Sequence, residues 1–488
     1  MKSLAHDMVQ AENNIAMSST STPASIPTAS QTLCEFVHRL ELKDIPADVI
    51  ERAKHCMVDT LGVSAFGAQF PWSQAVLRFA KAYGQSGGGS AQEGQTQARS
   101  QLLGLAHTRL QAPQAALVNG AFAHAFEMDS LRKPGAGVHP GATLLPAALA
   151  LAQEVGASGE TLLKAFVAAT EVMFRIGAAS LHSSEKLGFH APGLTGPYGA
   201  AIASGVVLGL NAQELTNALG IAGSLSGGLL AFTKSKQGAE VKRLHLGRAG
   251  ESGVMAARLA KEGFEGPETI LEGRFGFLTS FCAQSDAALL THGLGEVWET
   301  RKICIKAYPC HVTAHPAIDT LSELMRLGNF TAQDIAHCQL EVGEKILSHH
   351  DIRAPQDIKQ GQYSVPFCVA VAMHKDPSDA SVFNDDLVKD PKVLGSCQSI
   401  SMMAFGDAVK RNAWASRVTL TLHSGAVWSK EADTFWGAPE RALSEAQVEN
   451  RFLKNTAHLK SAAQAQVWLQ AFLNLEKTPN FLNLGDLA

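Results

Sequence analysis

The chain has 488 residues, of which 46% are hydrophobic and 18% are charged. This composition supplies a large apolar core and excludes an intrinsically disordered polyelectrolyte. The formal net charge of -4 argues against a nucleic-acid-binding surface spread over the whole protein.

The cysteines and the apolar stretches narrow the class of protein further. The eight cysteines form no CxxC pair, so a zinc ribbon or a thioredoxin-type site is not expected. The longest apolar stretches, such as residues 142–152, are too short to span a bilayer. The first residues also lack the basic and apolar regions of a secretory signal. We therefore expect a soluble, cytoplasmic enzyme with neither a nucleic-acid nor a membrane partner.

The predicted elements begin after a tail. Residues 1–30 are predicted to be disordered, because residues 18–31 are rich in Ser, Thr, Pro and Ala and show no apolar period. A first helix is predicted to start at Pro46. Asn211 to Glu214 has the pattern of a capping box that opens another helix. Helical periodicity predicts five more helices, near residues 114–126, 141–155, 158–178, 196–208 and 248–262.

Residues 31–303 are thus predicted to form a helical domain. Their many Ala and Gly residues permit close approach of one helix to another. No GxGxxG motif follows a predicted strand, which argues against a Rossmann domain.

The character of the sequence changes after this region. Apolar and polar side chains alternate in residues 338–343 and again in residues 418–422, which is typical of half-buried strands. A turn follows the second run and indicates a hairpin. Residues 304–440 are therefore predicted to form an α+β domain, and residues 441–488 return to helix.

The first segment that could carry chemistry is residues 124–141. A helix is predicted to end near Glu127, and the next helix is predicted to open at His139. Glu127 and Asp129 can supply an orienting anion, and His139 can act as an acid–base catalyst. The alternative is an exposed polar loop.

Two further segments place a polar side chain in a glycine-flanked turn. His190 precedes a Gly-rich helix whose N-terminal amides favour an anion, although a structural histidine is the alternative. Arg274 lies in the aromatic turn 273–277. That turn could form a wall of a pocket or a loop at the edge of the core.

A fourth segment is strongly basic. Lys242, Arg243, His245 and Arg248 fall within seven residues, directly before the helix predicted near residues 249–260. Such a cluster at a helix start suits carboxylate or phosphate groups. A solvated basic patch is the alternative.

The last segment, residues 302–315, places Lys306 close to His311. His315 follows His311 at a spacing that puts both on one face if the segment is helical. A zinc site is disfavoured because no third ligand has the expected spacing. A Cys310–His311 nucleophile is also disfavoured, because catalytic Cys–His pairs are usually distant in sequence.

Taken together, these segments suit a small di- or tricarboxylate substrate. Lysine, arginine and protonated histidine bind a carboxylate by charge-assisted hydrogen bonds, and a histidine can move a proton next to it. The sequence contains no phosphate loop, dinucleotide fingerprint or metal motif. We therefore predict proton transfer without a cofactor or a metal.

These segments, in this order, resemble the MmgE/PrpD family, from about Gln31 to the last helices. Many members carry an Asp-Asp pair where this chain has Asp129 and Ser130. The motifs that carry the resemblance are residues 127–129 with 139–141, 188–190, 242–247, 271–276, 306–311 and 363–366.

The resemblance implies a mainly α fold, with a large helical domain built from both chain ends (residues 31–303 and 441–488) and a smaller α+β lid domain (residues 304–440). It further implies a homodimer and an active site between the two domains. The residues that we expect to be catalytic are His139, His190, His311, Lys242 and Asp129. Those that we expect to bind substrate are Lys306, Glu127, Arg243, His245 and Arg274.

Three functions remain open at this point. The first is a cofactor-independent lyase that dehydrates or decarboxylates a citrate- or aconitate-like acid. The second is an epimerase or isomerase of a dicarboxylate such as iminodisuccinate, which needs acid–base groups on both faces of one carbon. The third is a non-catalytic member of the family, against which the lysine and histidine positions argue.

Overall fold

The computed structural model describes residues 26–84, 99–135, 137–234, 240–481 and 484–488. Most of the predicted tail, residues 1–25, therefore lies outside the described residues. The first described helix starts at Ala29, where the Thr28 hydroxyl accepts a hydrogen bond from the Gln31 amide. In the described residues, no helix is long and apolar enough to cross a membrane.

The protein is mainly α-helical, with a smaller α+β C-terminal domain. The first nine helices precede that domain. They are α1 (Ala29–Arg39), α2 (Ala47–Gly67), α3 (Pro71–Gly84), α4 (Ala112–Ala123), α5 (Pro140–Val155), α6 (Gly159–Ala179), α7 (Ala191–Leu208), α8 (Ala212–Ser224) and α9 (Val241–Lys261).

The remaining α-helices of the described chain follow α9. They are α10 (Phe277–Phe281), α11 (His315–Gly328), α12 (Glu344–His350), α13 (Ile358–Gly361), α14 (Val365–His374), α15 (Pro391–Ser399), α16 (Glu445–Thr456) and α17 (Ala462–Leu473).

The strands form two small pairs and one larger sheet. The pairs are β1 (Ser100–Gln101) with β2 (Arg109–Leu110), and β3 (Leu131–Arg132) with β4 (Ile303–Cys304), both antiparallel. The four-stranded sheet has the order β6–β5–β7–β8, in which only β6 and β5 run parallel. Its strands are β5 (Ile335–Val342), β6 (Ile400–Ala404), β7 (Ser416–Leu422) and β8 (Val427–Ala432).

Strand prediction was largely right in the α+β region. Cys338, Leu340 and Val342 alternate towards the core of the smaller domain, as the pattern predicted. The predicted hairpin is the β7–β8 pair, in which Leu420 lies opposite Trp428.

Small residues let the central helices of the large domain approach closely, as predicted. A Cβ on Gly247 of α9 would lie 2.1 Å from the carbonyl oxygen of Leu117 in α4, and one on Gly253 would lie 2.3 Å from Cβ of Ala200 in α7. Since real Cβ atoms do not come so close, these positions need glycine. The contacts pack α9 directly against α4, which precedes the loop of Glu127, and against α7.

Two apolar cores meet near this loop. The first contains residues from Leu33 to Ile305 and again from Leu443 to Leu487, so α16 and α17 pack with the N-terminal helices. The second belongs to the smaller domain and also takes in Phe126 and Met128. The intervening Glu127 therefore lies at the junction of the two cores.

Several helix boundaries differ from the prediction: α1 precedes the first predicted helix, α7 begins at Ala191 rather than near residue 196, and the largest shift is at α9. The basic segment was predicted to precede a helix near residue 249, but α9 already begins at Val241 and contains that segment. The polar side chains of its first turn face the interior, so the apolar period of the helix starts late. Lys242 and Arg243 are both buried.

Candidate active site

The β3–β4 pair brings the first and last chemical segments together. Leu131 pairs with Cys304, and Arg132 pairs with Ile303, so the loop after α4 runs beside the segment that leads to Lys306. The Arg132 guanidinium donates to Glu299 at 2.9 Å and anchors the pair. Two segments that are far apart in the sequence thus share one site.

Glu127 is the centre of this site. Its side chain is 1% exposed, and its φ of 55° lies in the left-handed region, which a non-glycine residue rarely adopts. Phe126 and Met128 on either side pack in the core of the smaller domain. Strained backbone of this kind concentrates at functional sites.

Three cations converge on Glu127, and we call these four residues the Glu127 cluster. The Lys242 ammonium donates to Oε1, the Arg243 guanidinium donates to the same oxygen at 2.6 Å, and the Lys306 ammonium donates to Oε2 at 3.2 Å. Burial raises the pKa of Glu127, but the three cations outweigh burial and hold that pKa well below its usual range. The carboxylate is therefore ionised.

The two lysines of the cluster differ in their pKa values. Burial lowers the pKa of Lys242 to about 8, although Glu127 opposes the shift. Burial also disfavours the charge of Lys306, but Glu127 and Asp129 outweigh it and raise the pKa of Lys306 above its usual value. Lys306 thus carries a permanent charge, whereas Lys242 can lose its proton in the physiological range.

Asp129 orients two imidazoles. One oxygen, Oδ2, lies 2.6 Å from Nδ1 of His139 and 3.0 Å from Nδ1 of His124. Burial raises the pKa of Asp129, but the two histidines and Lys306 hold it well below its usual range. An ionised carboxylate can only accept hydrogen bonds, so both rings carry a proton on Nδ1. His139 is left with Nε2 for exchange with a substrate.

The smaller domain supplies the opposite wall. The ring of Tyr363 lies 5.0 Å below the Lys242 ammonium, and burial followed by the charge of Glu127 raises its pKa well above the usual value. His311 stacks on His350 with ring centres 4.3 Å apart. Burial, then His350, holds the pKa of His311 well below its usual range.

His190 and His245 form a separate pair. His190 lies directly before α7, as predicted, and its Nδ1 lies 2.8 Å from Nδ1 of His245. Burial and the nearby Lys242 hold the pKa of His190 well below its usual range. His245 therefore stands behind His190 rather than in the Glu127 cluster.

Most of the predicted site residues lie close together, and Arg274 is an exception. Arg274 lies on an exposed turn, with its guanidinium 5.1 Å from the ring centre of Phe275, which is 83% exposed. The structure does not bring it to the Glu127 cluster. His315 is buried and its Nε2 lies 3.4 Å from the Cys310 carbonyl oxygen, which is a structural position.

Two residues that the sequence did not single out hold the site together. Gln362 donates to the carbonyl oxygens of Phe126 and Pro309, both at 2.9 Å. Arg451 of α16 donates to Ala307 and Met128 carbonyl oxygens, both at 3.3 Å. Each side chain bridges the loop of Glu127 and the segment of Lys306.

Other side chains at the site were also missed. His124 was not singled out, although it opens the first chemical segment, and Tyr363 entered only as part of a family motif. No local signal marked Arg451, because its ion-pair partner Asp59 lies on α2 at 2.6 Å but 392 positions away in sequence.

One group of three side chains in the described residues has the geometry of a metal site. The donor atoms of His124, Asp129 and His139 lie within 4.8 Å of one another. Both imidazoles use Nδ1 to bond the carboxylate directly, so the group is held together by hydrogen bonds between its own members. That the site works without a metal stays a prediction.

Comparison with known proteins gives two family matches. A family model described as the MmgE/PrpD N-terminal domain matches residues 31–290, and one described as the MmgE/PrpD C-terminal domain matches residues 308–477. Together they cover the described chain from α1 to the last helices.

Several curated proteins are similar to this chain. A cis-aconitate decarboxylase-like protein, oryM, from Aspergillus oryzae is 32% identical over 323 residues, and the chain spans only 63% of that protein's length. Cis-aconitate decarboxylase from Aspergillus terreus is 28% identical over 76% of this chain and 77% of its own length. Cis-aconitate decarboxylase from Homo sapiens is 24% identical over 92% of both chains.

Proposed function

This chain belongs to the MmgE/PrpD family, and we propose that it is a lyase that removes one carboxylate, as CO₂, from a tricarboxylate of the cis-aconitate type. The observation that carries the proposal is the convergence of Lys242, Arg243 and Lys306 on Glu127, next to the Asp129–His139 pair. The names of the similar proteins support the choice of substrate and of decarboxylation.

The cations of the cluster are suited to bind the substrate. Three cations face two carboxylates, those of Glu127 and Asp129, so the site keeps an excess of positive charge. Lysine offers three donors and arginine five, more than Glu127 and Asp129 can accept. Each charge-assisted bond to a substrate carboxylate contributes about 1.5–3 kcal/mol.

The Asp129–His139 pair is suited to proton transfer. Asp129 accepts a hydrogen bond from Nδ1 of His139 and fixes the ring, so Nε2 faces away from the carboxylate. A positioned imidazole contributes typically about 10²–10⁴ in rate. We assign the protonation of the substrate carbon to His139, which carries a proton on both ring nitrogens before the step, donates the one on Nε2 and regains it from water afterwards.

Decarboxylation balances with these groups alone. The carbon–carbon bond to the departing carboxylate breaks, its electron pair stays on the substrate, and a substrate carbon takes one proton from the imidazole. In the net reaction, one carboxylate and one proton are converted into CO₂ and one new C–H bond. Lys242 and Lys306 hold the remaining carboxylates while charge builds up on the carbon chain.

The test is an NMR assay of the purified protein in D₂O with cis-aconitate, citrate, 2-methylcitrate and iminodisuccinate in separate tubes. We expect CO₂ and a product with one new C–D bond from cis-aconitate. Loss or addition of water without CO₂ would replace decarboxylation by a hydro-lyase reaction. Deuterium entering iminodisuccinate with inversion would make the protein an epimerase. If no substrate changes, the proposed activity is wrong.

The matched variant is His139→Asn. The asparagine amide can still donate to Asp129 from the place of Nδ1, but it removes Nε2. We expect kcat to fall by at least about 10²-fold with the circular dichroism spectrum unchanged. An unchanged kcat would remove His139 from the chemistry.

Two wider expectations stay predictions. The homodimer is tested by light scattering of the purified protein after size-exclusion chromatography. The cytoplasmic location is tested by fractionation of cells that express the full chain.

A further inference from the structure

The histidine pair behind the Glu127 cluster has a geometry that restricts both rings. Nδ1 of His190 and Nδ1 of His245 lie 2.8 Å apart, so one ring must donate and the other must accept. Each ring therefore has only Nε2 for any other partner. In the described part of the chain, Nε2 of His190 has no hydrogen-bond partner.

Neighbouring residues hold the pair from two sides. The carbonyl oxygen of Gly228 accepts a hydrogen bond from the His190 amide at 3.0 Å. A Cβ on Gly228 would lie 3.4 Å from Nδ1 of His245, an ordinary van der Waals distance, so the backbone of Gly228 packs beside that ring. The ring of Phe232 contacts both imidazoles edge-on, with ring centres 5.2 Å from that of His190 and 6.0 Å from that of His245.

The two rings differ in their surroundings. His190 is 6% exposed, and its electrostatic neighbours are Lys242, His124 and His139. His245 is half-buried and lines a cavity of about 250 Å³ together with Gly228 and Arg248. His190 thus belongs to the site, and His245 lies on the side that leads away from it.

The charge of the pair follows from the same surroundings. Burial, then Lys242, lowers the pKa of His245, and the same two causes hold the pKa of His190 well below its usual range. Both rings are therefore neutral near pH 7. A neutral pair has one hydrogen between the two Nδ1 atoms. The ring that donates this hydrogen has no hydrogen on its Nε2, and the ring that accepts it carries its own hydrogen on Nε2.

We propose that His245 is a positioning residue for His190. The hydrogen bond between the two Nδ1 atoms fixes the ring of His190 and its tautomer, and it leaves Nε2 of His190 as the nitrogen presented to the substrate. This inference rests on the proposed function for its kinetic test. It also replaces the expectation that His245 binds a substrate carboxylate directly.

The kinetic test uses the different shapes of asparagine and glutamine. The side-chain amide of His245→Asn lies where Nδ1 lies, whereas that of His245→Gln lies where Nε2 lies. We expect His245→Ala and His245→Gln to lower kcat by about 10–100-fold with KM within twofold, since a misplaced group costs up to that much. His245→Asn should retain kcat within about fivefold.

The matched control is His337→Ala. His337 lies on the exposed face of β5, where its Nε2 bonds the Ser401 hydroxyl at 2.9 Å, far from the histidine pair in the fold. We expect its kinetic constants to equal those of the unchanged protein. A rise in KM with kcat unchanged in His245→Ala would instead assign His245 to substrate binding, and equal losses in the Asn and Gln variants would overturn the proposal.

A second readout does not depend on turnover. In protein with ¹⁵N-labelled histidine, we expect His245→Ala to change the ¹⁵N shifts and the tautomer of His190, and His245→Asn to leave them nearly unchanged. If these shifts behave so while no tested substrate reacts, the proposed function fails and the positioning role stands. If the His190 shifts are the same in His245→Ala, the positioning role is wrong.

Discussion

Two networks of ion pairs in this protein have similar chemistry and different surroundings. The Glu127 cluster is buried, and Glu127 itself is 1% exposed. The other network, which we call the sheet network, lies on the four-stranded sheet and contains two acidic groups that are 41% and 34% exposed. Its members are Asp407, Arg411, Arg417 and Glu431.

Geometry alone does not separate the two networks. In the sheet network, Arg411 and Arg417 both bond Glu431, at 2.6 and 2.7 Å, much as Arg243 bonds Glu127 at 2.6 Å. The two networks differ in their exposure to water. Desolvation costs several kcal/mol for each buried ion, whereas exposed pairs are hydrated, screened by salt and contribute little.

The presence of the two networks needs different explanations. A buried set of three cations and one carboxylate is poor evidence for stability, because apolar residues would fill the same space at lower cost. The proposed function would account for its presence at the junction of two cores, because a charged ligand needs a prepared site. The sheet network needs no such explanation.

The largest effect is expected from Glu127→Gln. The variant keeps the shape of the side chain but leaves Lys242, Arg243 and Lys306 buried with only Asp129 as a counter-charge. We expect the free energy of unfolding in urea to fall by about 3–5 kcal/mol. A loss below about 1 kcal/mol would show that water or a displaced side chain replaces the carboxylate, and that the cluster is not a closed network.

A smaller effect is expected from Arg451→Lys, which tests how the cluster is held. The guanidinium reaches Asp59 and two carbonyl oxygens at once, and a lysine ammonium cannot reproduce that fork. Since the loop of Glu127 and the segment of Lys306 would then shift, we expect kcat/KM to fall about tenfold.

The control for this variant is Arg39→Lys. Arg39 is highly exposed on α1 and pairs with Glu35 one turn away. The Arg39→Lys variant should leave kcat/KM unchanged. An equal loss in both variants, or no loss in Arg451→Lys, would contradict a positioning role for Arg451.

The same contrast explains how much of the fold the sequence predicts. Helical periodicity and capping boxes are local, so α8 starts at the predicted capping box of Asn211 and Glu214, and α5, predicted near residues 141–155, spans Pro140–Val155. The start of α9 was missed because Lys242 and Arg243 point into the protein, which makes the first turn look like a polar loop. A charge that faces a site breaks the apolar period on which the prediction depends.

The candidate site follows the same rule. Glu127, Asp129 and His139 were identifiable because one short loop carries all three. Arg451 and Gln362 were not, because their partners come from other parts of the chain and only tertiary packing brings them together. Arg274 was chosen from its motif, but the structure leaves it on an exposed turn.

The pH dependence of kcat/KM tests the buried side of the comparison further. Burial lowers the pKa of Lys242 to about 8, so its charge is present below that pH and lost above it. If Lys242 binds a substrate carboxylate, kcat/KM falls as pH rises through about 8, about tenfold per pH unit.

The variant Lys242→Arg assigns this limb of the profile. Arginine keeps its charge throughout the range, so the alkaline fall should move beyond pH 9 even if the maximal rate is lower. Glu127 and Asp129 contribute no acidic limb near neutrality, because their pKa values lie well below the usual range. An alkaline fall that persists at pH 8 in Lys242→Arg would assign it to another group.

The smallest effect is expected from Glu431→Gln in the sheet network. The change removes the carboxylate that Arg411 and Arg417 share, which is the same loss that Glu127→Gln imposes on its own cations. Here Asp407 still pairs with both guanidinium groups, so neither charge is left without a partner. We expect a slightly lower melting temperature at low salt, no difference at 1 M NaCl, and unchanged kcat/KM. If this variant destabilised the protein as much as Glu127→Gln, solvent exposure would not be what separates the two networks, and the case for the buried cluster as a site prepared for a charged ligand would lose its main support.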